Sequence, residues 1–296
     1  MSKLSKQLTT LARLGGGSFK TVADRSKIAS RFSLRLTQLN IQVRDIKHIK
    51  THHIENYIQS RIDENIRSRT LQNEMSMIRN LMASAGRSKL ADPHHERLSN
   101  RALGIAGASR DGTKVAMSNE RFEEALKNIK AKDEGVAIVM ELARYLGLRN
   151  EEAVQSVKSI KTWQQALLRG DEKVKIVFGT KGGRPRETTA IHRERLLNTL
   201  ERAVNYASQH NGKLIDKPNL HSAKDRYINV MRRIGGLVRR ESNHGLRYAY
   251  AQDAEKYYQQ KGFNQKEAQA LVSMDLGHGD GRGDYVKRVY SKKLEE

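Results

Sequence analysis

The sequence predicts a mainly α-helical fold with one small β-hairpin, divided between two domains. Apolar residues recur at intervals of three and four along most of the chain, whereas one segment near the middle alternates instead. Both patterns disappear between about residues 90 and 115, which indicates a linker. We therefore predict a helical domain over residues 1–105 and an α+β domain over residues 115–296.

The first domain is predicted from two apolar stripes at helical spacing, separated by basic and polar residues. Gly86 follows the second stripe, and a glycine in that place is typical of a helix end. The stripes consist of Ile28, Phe32, Leu36 and Leu39, then of Leu71, Met75, Ile78 and Met82.

The second domain is predicted to begin with a helix that Ser118 caps. The next segment, EGVAIVMELARYLGLR, is apolar around most of its circumference, so we expect a buried helix that Gly147 ends. Alternation from Val174 to Phe178, a Gly-rich turn and a second extended run at residues 186–191 predict the hairpin. The remainder, from residue 192 onward, is predicted to form helices with polar connections.

The charge of the chain indicates a polyanionic partner. Lys and Arg number 55 against 33 Asp and Glu, which gives a net charge of +22. Residues 1–100 carry an excess of ten basic residues and the rest an excess of twelve, so both predicted domains are basic. Such an excess repels itself unless a partner neutralises it, which favours nucleic acid over a merely basic surface or a ribosome-associated protein.

Other compositional features exclude several classes of protein. The chain has no cysteine, which excludes disulfides and thiolate metal sites. No apolar run is long enough for a membrane span, and the N-terminal residues lack the apolar core of a signal peptide. We therefore expect a cytoplasmic protein.

Two basic residues lie beside the predicted elements of the second domain. Arg149, in YLGLRNEE, comes directly after the buried helix and its glycine. Its planar guanidinium suits phosphate oxygens, although an ion pair with Glu151 or Glu152 would explain it equally. Lys181, in FGTKGGRPRE, lies at the hairpin turn, where it either reaches toward a substrate or is simply solvated.

Two histidine motifs follow. NHGLRYAYAQ carries His244 and Arg247, whose spacing of three places them on one helical face. An imidazole beside a guanidinium can bind two oxygens of one phosphate, while a basic helix lying along a DNA backbone is the alternative. LGHGDGRGDYVKRVYSKK carries His278, and then two tyrosines, Tyr285 and Tyr290.

The order of these motifs resembles that of the tyrosine recombinases, the phage-integrase family. LGLRNEE, HGLRYAYA and LGHG are each close to motifs of that family, and the hairpin lysine and terminal tyrosine occur in the family's order. The resemblance covers residues 115–291. Residues 1–105 resemble, more loosely, the family's helical core-binding (SAM-like) domain, which grips DNA. Tyr248 is a departure, since the family often has a histidine there.

The resemblance implies a catalytic pocket and a mechanism. The implied residues are Arg149, Lys181, His244, Arg247, His278 and a tyrosine. The tyrosine would attack a DNA phosphate and form a 3′-phosphotyrosyl bond, while the arginines stabilise the negative charge of the transition state. His278 would donate to a nonbridging oxygen, His244 would assist proton transfer from the tyrosine, and Lys181 would protonate the departing 5′ oxygen. Neither a metal nor another cofactor is expected.

Spacing alone does not choose between the two tyrosines. The family's tyrosine usually lies about nine residues after the histidine, whereas Tyr285 lies seven and Tyr290 twelve after His278. The glycine-rich GDGRGD segment predicts a loop that can absorb extra length. YVKRVYSKK predicts about two helical turns with Val286 and Val289 packed beneath Tyr290. We therefore predict Tyr290 as the nucleophile.

The resemblance implies a two-domain clamp that cuts and rejoins DNA at specific sites, for a mobile genetic element. Its partner would be double-stranded DNA, with a dimer on one site and a tetramer in the synapse. A chromosome or plasmid dimer resolvase, a DNA-binding regulator without catalysis, and a type IB topoisomerase are the alternatives. Family members often end in a helix that docks on a neighbouring subunit, and here six residues follow Tyr290.

Overall fold

The computed structural model of the chain describes residues 2–291. These residues form two compact units, which meet in sequence between Arg110 and Asp111. Five of the six residues that follow Tyr290, where other family members often have a docking helix, lie outside the described residues.

The first unit is helical. Ser2 and Ser18 cap its first two helices by accepting hydrogen bonds from backbone N–H groups, as serine commonly does at this position. Between Ser2 and Arg110 the helices are α1 (Lys3–Leu14), α2 (Phe19–Gln38), α3 (Thr51–Asp63), α4 (Ser68–Ser84) and α5 (Ser88–Ala91).

The two predicted stripes supply much of the core of this unit. Phe32 and Leu36 of α2 are buried, and all four members of the α4 stripe are buried too. Leu39 is partly exposed, because α2 ends one residue earlier. Gly86 has φ +71° one residue after the C-cap of α4, as the sequence predicts.

The segment predicted as a linker is only partly a connection. Leu90, Leu98 and Ile105 are buried in the core of the first unit, and Arg79 donates to the backbone carbonyl of Leu98 at 2.8 Å. The prediction of a free linker is therefore wrong for residues 90–105. In this segment single apolar side chains from successive turns enter the core. Their spacing in the sequence is irregular, so no helical or strand pattern marks them.

The second unit is mainly helical with one β-hairpin, so the predicted fold class is confirmed. Strands β1 (Lys173–Ile176) and β2 (Arg186–Thr189) pair antiparallel, with Val174 opposite Thr188 and Ile176 opposite Arg186. The helices are α6 (Asn119–Lys130), α7 (Glu134–Leu146), α8 (Asn150–Val154), α9 (Ile160–Leu168), α10 (Arg193–Gln209), α11 (Leu220–Arg233), α12 (Gly245–Gln260), α13 (Gln265–Asp275) and α14 (Gly283–Val289).

Helix α7 is the centre of the second unit. Gly135 to Leu146 are all buried, as the apolar sequence predicts, and the helix packs against α6, α10 and α12. Gly147 ends it in the left-handed conformation with φ +58°. Ser118 caps α6 by accepting from the N–H of Arg121 at 3.2 Å, again as predicted.

The hairpin is shorter than predicted. Val174 and Ile176 point into the core, but β1 ends at Ile176, and Phe178 is 41% exposed. Phe178 therefore lies beyond the strand, although the alternation in the sequence extends to it. Within residues 2–291, no helix combines the length and the apolar character that crossing a bilayer requires.

Candidate active site

The second unit brings five of the six predicted site residues to one place. Arg149 lies between α7 and α8, and Arg247 lies in the first turn of α12 just after His244. His278 follows α13, and Tyr290 directly follows α14. The ends of four helices therefore meet around one pocket, which we call the catalytic pocket. Lys181 is the exception.

Arg247 is the most deeply buried of these residues, with 1% of its surface exposed. Its two terminal nitrogens donate to the backbone carbonyls of Gly147 and Leu276. Its Nε lies 3.4 Å from the hydroxyl of Tyr290. An arginine this buried keeps its charge by donating to several oxygens, and here most of those oxygens are uncharged.

Arg149 shares one of these carbonyls. Its Nη2 donates to the carbonyl of Leu276 at 3.1 Å, and its Nη1 donates to Glu152 at 2.6 Å. The backbone N–H of Arg149 also donates to Glu152, at 2.9 Å. The ion pair that the sequence offered as an alternative is therefore present, and it holds Arg149 beside Arg247 rather than removing it from the pocket.

Two buried residues that the sequence did not predict as site residues, Glu152 and Arg186, also line the catalytic pocket. Arg186 is buried and donates to Glu152 at 2.8 Å, to the carbonyl of Gly147 at 3.3 Å and to the carbonyl of Asp275. Burial alone would raise the pKa of Glu152, but Arg186, ahead of the other two arginines, lowers that pKa to about 2. No local motif marks Arg186, which opens the second strand of the hairpin two residues before the buried, polar Thr188.

The pocket carries an excess of positive charge. Arg149, Arg186 and Arg247 contribute three guanidinium groups, and Glu152 is the carboxylate that pairs with the first two of them. Two positive charges therefore stay uncompensated among these four side chains. A site with this balance favours a dianionic or phosphodiester group over a neutral ligand.

Tyr290 is the tyrosine whose hydroxyl faces this charge. The hydroxyl lies 3.1 Å from Nε2 of His278 and 3.4 Å from Nε of Arg247. The side chain is only 3% exposed, and its ring lies 4.6 Å from the ring of Tyr248. Val286 and Val289 of α14 are buried, as the sequence predicts, but α14 ends at Val289 and Tyr290 directly follows it.

Tyr285 occupies a different position. Its ring packs 4.8 Å from the ring of His278, and its side chain is half-buried. Within residues 2–291 its hydroxyl makes no hydrogen bond to Arg149, Arg247 or His278. The local geometry therefore favours Tyr290 as the reactive residue.

Both histidines are neutral at physiological pH. Burial, and then the positive charges of Arg247 and Arg149, lower the pKa of His278 to about 3 and the pKa of His244 to about 4. A neutral imidazole can accept a proton. In the described part of the chain, His278 is the histidine within hydrogen-bond distance of Tyr290, whereas the ring of His244 packs against Tyr248 at 5.6 Å.

Lys181 lies on the exposed turn between β1 and β2. Gly182 and Gly183 follow it with φ of +72° and +71°, so the turn has a backbone that only glycine adopts freely. Within residues 2–291 its side chain forms no hydrogen bond or ion pair with the other five site residues. The structure thus places Lys181 on a solvated hairpin turn and leaves its role a prediction.

The sequence matches models of known protein families over most of its length. A model described as "Integrase" matches residues 104–253, just over half of the chain. A second model, "Phage integrase, N-terminal", matches residues 1–91. The chain belongs to the integrase family of tyrosine recombinases. The enzyme class predicted from the sequence, a tyrosine-type site-specific DNA recombinase, is therefore confirmed.

Solved structures of recombinases share this fold. A lambda integrase dimer bound to a COC′ core site matches with a TM-score of 0.63 and 13% identity, covering 99% of this chain and 79% of that one. XerH bound to difH, in a post-cleavage complex, matches with a TM-score of 0.57 and 16% identity over 96% and 80%. The Tn1549 transposon integrase with transposon right end DNA matches with 0.55 and 11% over 99% and 96%. At these identities the similarity is one of fold, and no curated protein matches the sequence.

Proposed function

We propose that this recombinase cleaves DNA with Tyr290 as its nucleophile and the catalytic pocket as its phosphate site. The observation that carries the proposal is the pair of contacts made by the Tyr290 hydroxyl, to His278 at 3.1 Å and to Arg247 at 3.4 Å. The phenolic oxygen thus lies between a neutral base and a fixed positive charge, the two groups that a phenol needs to attack a phosphodiester.

The chemistry proceeds by exchange of one phosphorus–oxygen bond for another. The Tyr290 oxygen attacks the phosphorus, the bond to the 5′ oxygen breaks, and a 3′-phosphotyrosyl bond forms. Arg149 and Arg247 stabilise the charge on the nonbridging oxygens, because both are held rigidly and stay charged. The 5′ oxygen of a second strand reverses the step, so the bond energy is retained and ATP is not required.

Proton transfers at the two ends of the reaction need separate groups. His278 is the histidine in contact with the Tyr290 hydroxyl, at 3.1 Å, so we give it the phenolic proton. His244 then serves as a second donor or acceptor beside the phosphate. Lys181 protonates the leaving 5′ oxygen once DNA is bound, since its exposed turn leaves the side chain available to a substrate.

Double-stranded DNA is the proposed partner. The net charge of +22 is divided between the two halves of the chain, which suits a protein that holds DNA with both units. Similar chains were solved on DNA, among them a lambda integrase dimer on a core site and a lambda integrase tetramer on a Holliday junction. We propose the same states here, a dimer on one site and a tetramer in the synapse.

A mobile genetic element is the proposed setting, and the cytoplasm the proposed location. The similarity to the Tn1549 transposon integrase supports an element that moves. Resolution of chromosome dimers stays the alternative because XerH, a recombinase bound to difH, has a comparable TM-score.

Covalent trapping tests the proposal. Duplexes that bind the full-length Tyr290→Phe chain are first selected from a random-sequence pool, and nicked versions of them then serve as suicide substrates. The unmodified chain should form a covalent product, and peptide mapping should locate the DNA on Tyr290. Tyr285→Phe is the matched control and should still form it. An adduct on Tyr285, or binding without any covalent product, would contradict the assignment.

A further inference from the structure

A buried carboxyl group lies next to the backbone that holds the three arginines. Asp275 is the last residue of α13 and is 1% exposed. Its own backbone carbonyl accepts from Arg186, and the following carbonyl, of Leu276, accepts from both Arg149 and Arg247. The positions of all three guanidinium groups therefore depend on where this short segment lies.

The side chain of Asp275 is tied to two neighbouring elements by hydroxyl groups. Tyr258 of α12 donates to its Oδ2 at 2.8 Å, and the hydroxyl of Tyr250, also of α12, lies 3.2 Å from the same oxygen. Thr189 of β2 donates to its Oδ1 at 3.1 Å. Among residues 2–291 no Lys, Arg or His forms an ion pair with this carboxyl group. Burial, only partly opposed by these hydroxyls and by the more distant charge of Lys173, raises the pKa of Asp275.

The residues around Asp275 also contact the backbone at Gly147, whose carbonyl accepts from Arg186 and Arg247. The ring of Tyr250 packs so tightly on Gly147 that a Cβ there would lie 2.5 Å from its Cδ1. The Thr188 hydroxyl lies within hydrogen-bond distance of both neighbours, 3.2 Å from the carbonyl of Leu146 and 2.9 Å from the Tyr250 hydroxyl. One hydroxyl and carboxyl cluster thus touches the backbone at both Gly147 and Asp275.

Burial of the Asp275 carboxyl group without an ion pair destabilises the folded chain. An apolar side chain of similar volume would avoid the desolvation of the carboxyl group and of the hydroxyls around it. What such a side chain cannot do is fix the distance between α12, β2 and the end of α13 through directional bonds. The cost is therefore explained if that distance matters to the catalytic pocket.

We propose that Asp275 is a positioning residue for strand cleavage. With Tyr250, Tyr258 and Thr189 it fixes the separation of the Gly147 and Leu276 carbonyls, and through them the separation of Arg149 and Arg247. It touches neither the phosphate nor Tyr290. The inference rests on the proposed function, because it assumes that the two arginines hold the scissile phosphate.

The test separates the rate of cleavage from the affinity for DNA. Full-length Asp275→Ala and Asp275→Asn are compared with the unmodified chain on a selected, nicked duplex. Because an error of about 1 Å in a catalytic geometry costs on the order of 100-fold, Asp275→Ala should lower the rate at saturating protein by tens of fold. Its Kd for the duplex should stay within about twofold, since the phosphate contacts that dominate affinity are elsewhere.

Two further variants make the result specific. Asp275→Asn keeps the shape of the side chain and one of its acceptors, so it should restore the rate to within about threefold of the unmodified chain. Asp253→Ala is the matched control, because Asp253 is an acidic residue of α12 itself but binds Arg144 at 2.6 Å and His192 at 3.1 Å rather than the Asp275 cluster. It should cleave normally.

A double-mutant cycle tests whether Asp275 acts through the arginines. In an Arg149→Ala background the further loss caused by Asp275→Ala should be much smaller than in the unmodified chain, because the group it positions is gone. Additive losses would overturn the proposal, as would a folded Asp275→Ala that cleaves at the normal rate.

If Asp275→Ala does not fold, Tyr258→Phe replaces it. That variant removes the 2.8 Å donor to Asp275 and the 2.7 Å contact with Thr189 and should also slow cleavage, so an unchanged rate would overturn the proposal. Failure of the unmodified chain to form any covalent product would instead overturn the proposed function, and this inference with it.

Discussion

Replacement of Glu152 by glutamine should destabilise the second unit and not only impair catalysis. Glu152 has a fully buried side chain that accepts from Arg149 at 2.6 Å and from Arg186 at 2.8 Å. Glutamine would turn one acceptor into a donor and leave the buried Arg186 without its carboxylate. Loss of one partner of a buried ion pair typically costs about 3–5 kcal/mol.

The pKa of Glu152 gives the same magnitude independently. It is held at about 2 in the folded chain against an ordinary value of 4.5. A difference of about 2.5 corresponds to about 3 kcal/mol at neutral pH, since one unit of pKa is worth about 1.4 kcal/mol. This contribution is complete above pH 4.5 and is lost as the pH falls toward 2. The gap between variant and parent should therefore close over that range.

Trp163 provides the assay. It is the single tryptophan of the chain, it is buried in the second unit, and its indole N–H donates to the carbonyl of Lys175 at 2.8 Å. Its fluorescence in a urea titration therefore reports on that unit. Glu151→Gln is the control, because Glu151 is 44% exposed and its pairing with Lys224 at 2.6 Å is a surface interaction worth at most about 1 kcal/mol. Equal free energies of unfolding for the two variants at pH 7 would refute the reasoning.

Two predictions concern the reaction itself. Because the pKa of His278 and of His244 is lowered to about 3 and about 4, the pH profile of covalent product formation should show no step near the ordinary histidine value of about 6.5. Such a step would show that one of them titrates with its usual pKa. Lys181→Ala should cleave normal DNA slowly but recover most of the rate on a duplex with a sulfur leaving group at the 5′ position, which needs little protonation, whereas Arg247→Ala should stay impaired on both. Equal defects of Lys181→Ala on both substrates would assign Lys181 to DNA positioning.

The fold could be predicted where burial is periodic. The spacing of Phe32 and Leu36 predicts the buried face of α2, and the continuous apolar sequence of α7 predicts a helix that is buried all round. Prediction failed where one side chain is buried without a repeat. Leu98 and Ile105 fill the core of the first unit from turns, and nothing in the neighbouring residues shows that they do so.

The candidate site could be predicted only as far as local motifs extend. The motifs around Arg149, Arg247 and His278 each occupy a few consecutive residues, and the order of motifs along the chain indicates that they share a pocket. Arg186 and Asp275 belong to no such motif, since Arg186 contacts residues 34 to 89 positions away and the Asp275 side chain contacts residues 17 to 86 positions away. Such contacts depend on how helices and strands pack, which a single sequence does not contain.

The way in which the arginines are held explains how the catalytic pocket stays ready for an anion. A second carboxylate could hold Arg247 as firmly as the carbonyls of Gly147 and Leu276 do, but it would cancel the charge on which the proposed phosphate binding depends. A carbonyl group satisfies a guanidinium N–H through its dipole and leaves the net charge unchanged. Glu152 neutralises one of the three charges, and the two carbonyls orient the rest. The burial of Arg247 at 1% exposure is therefore compatible with a charged pocket, because backbone acceptors rather than acidic side chains receive most of its hydrogen bonds.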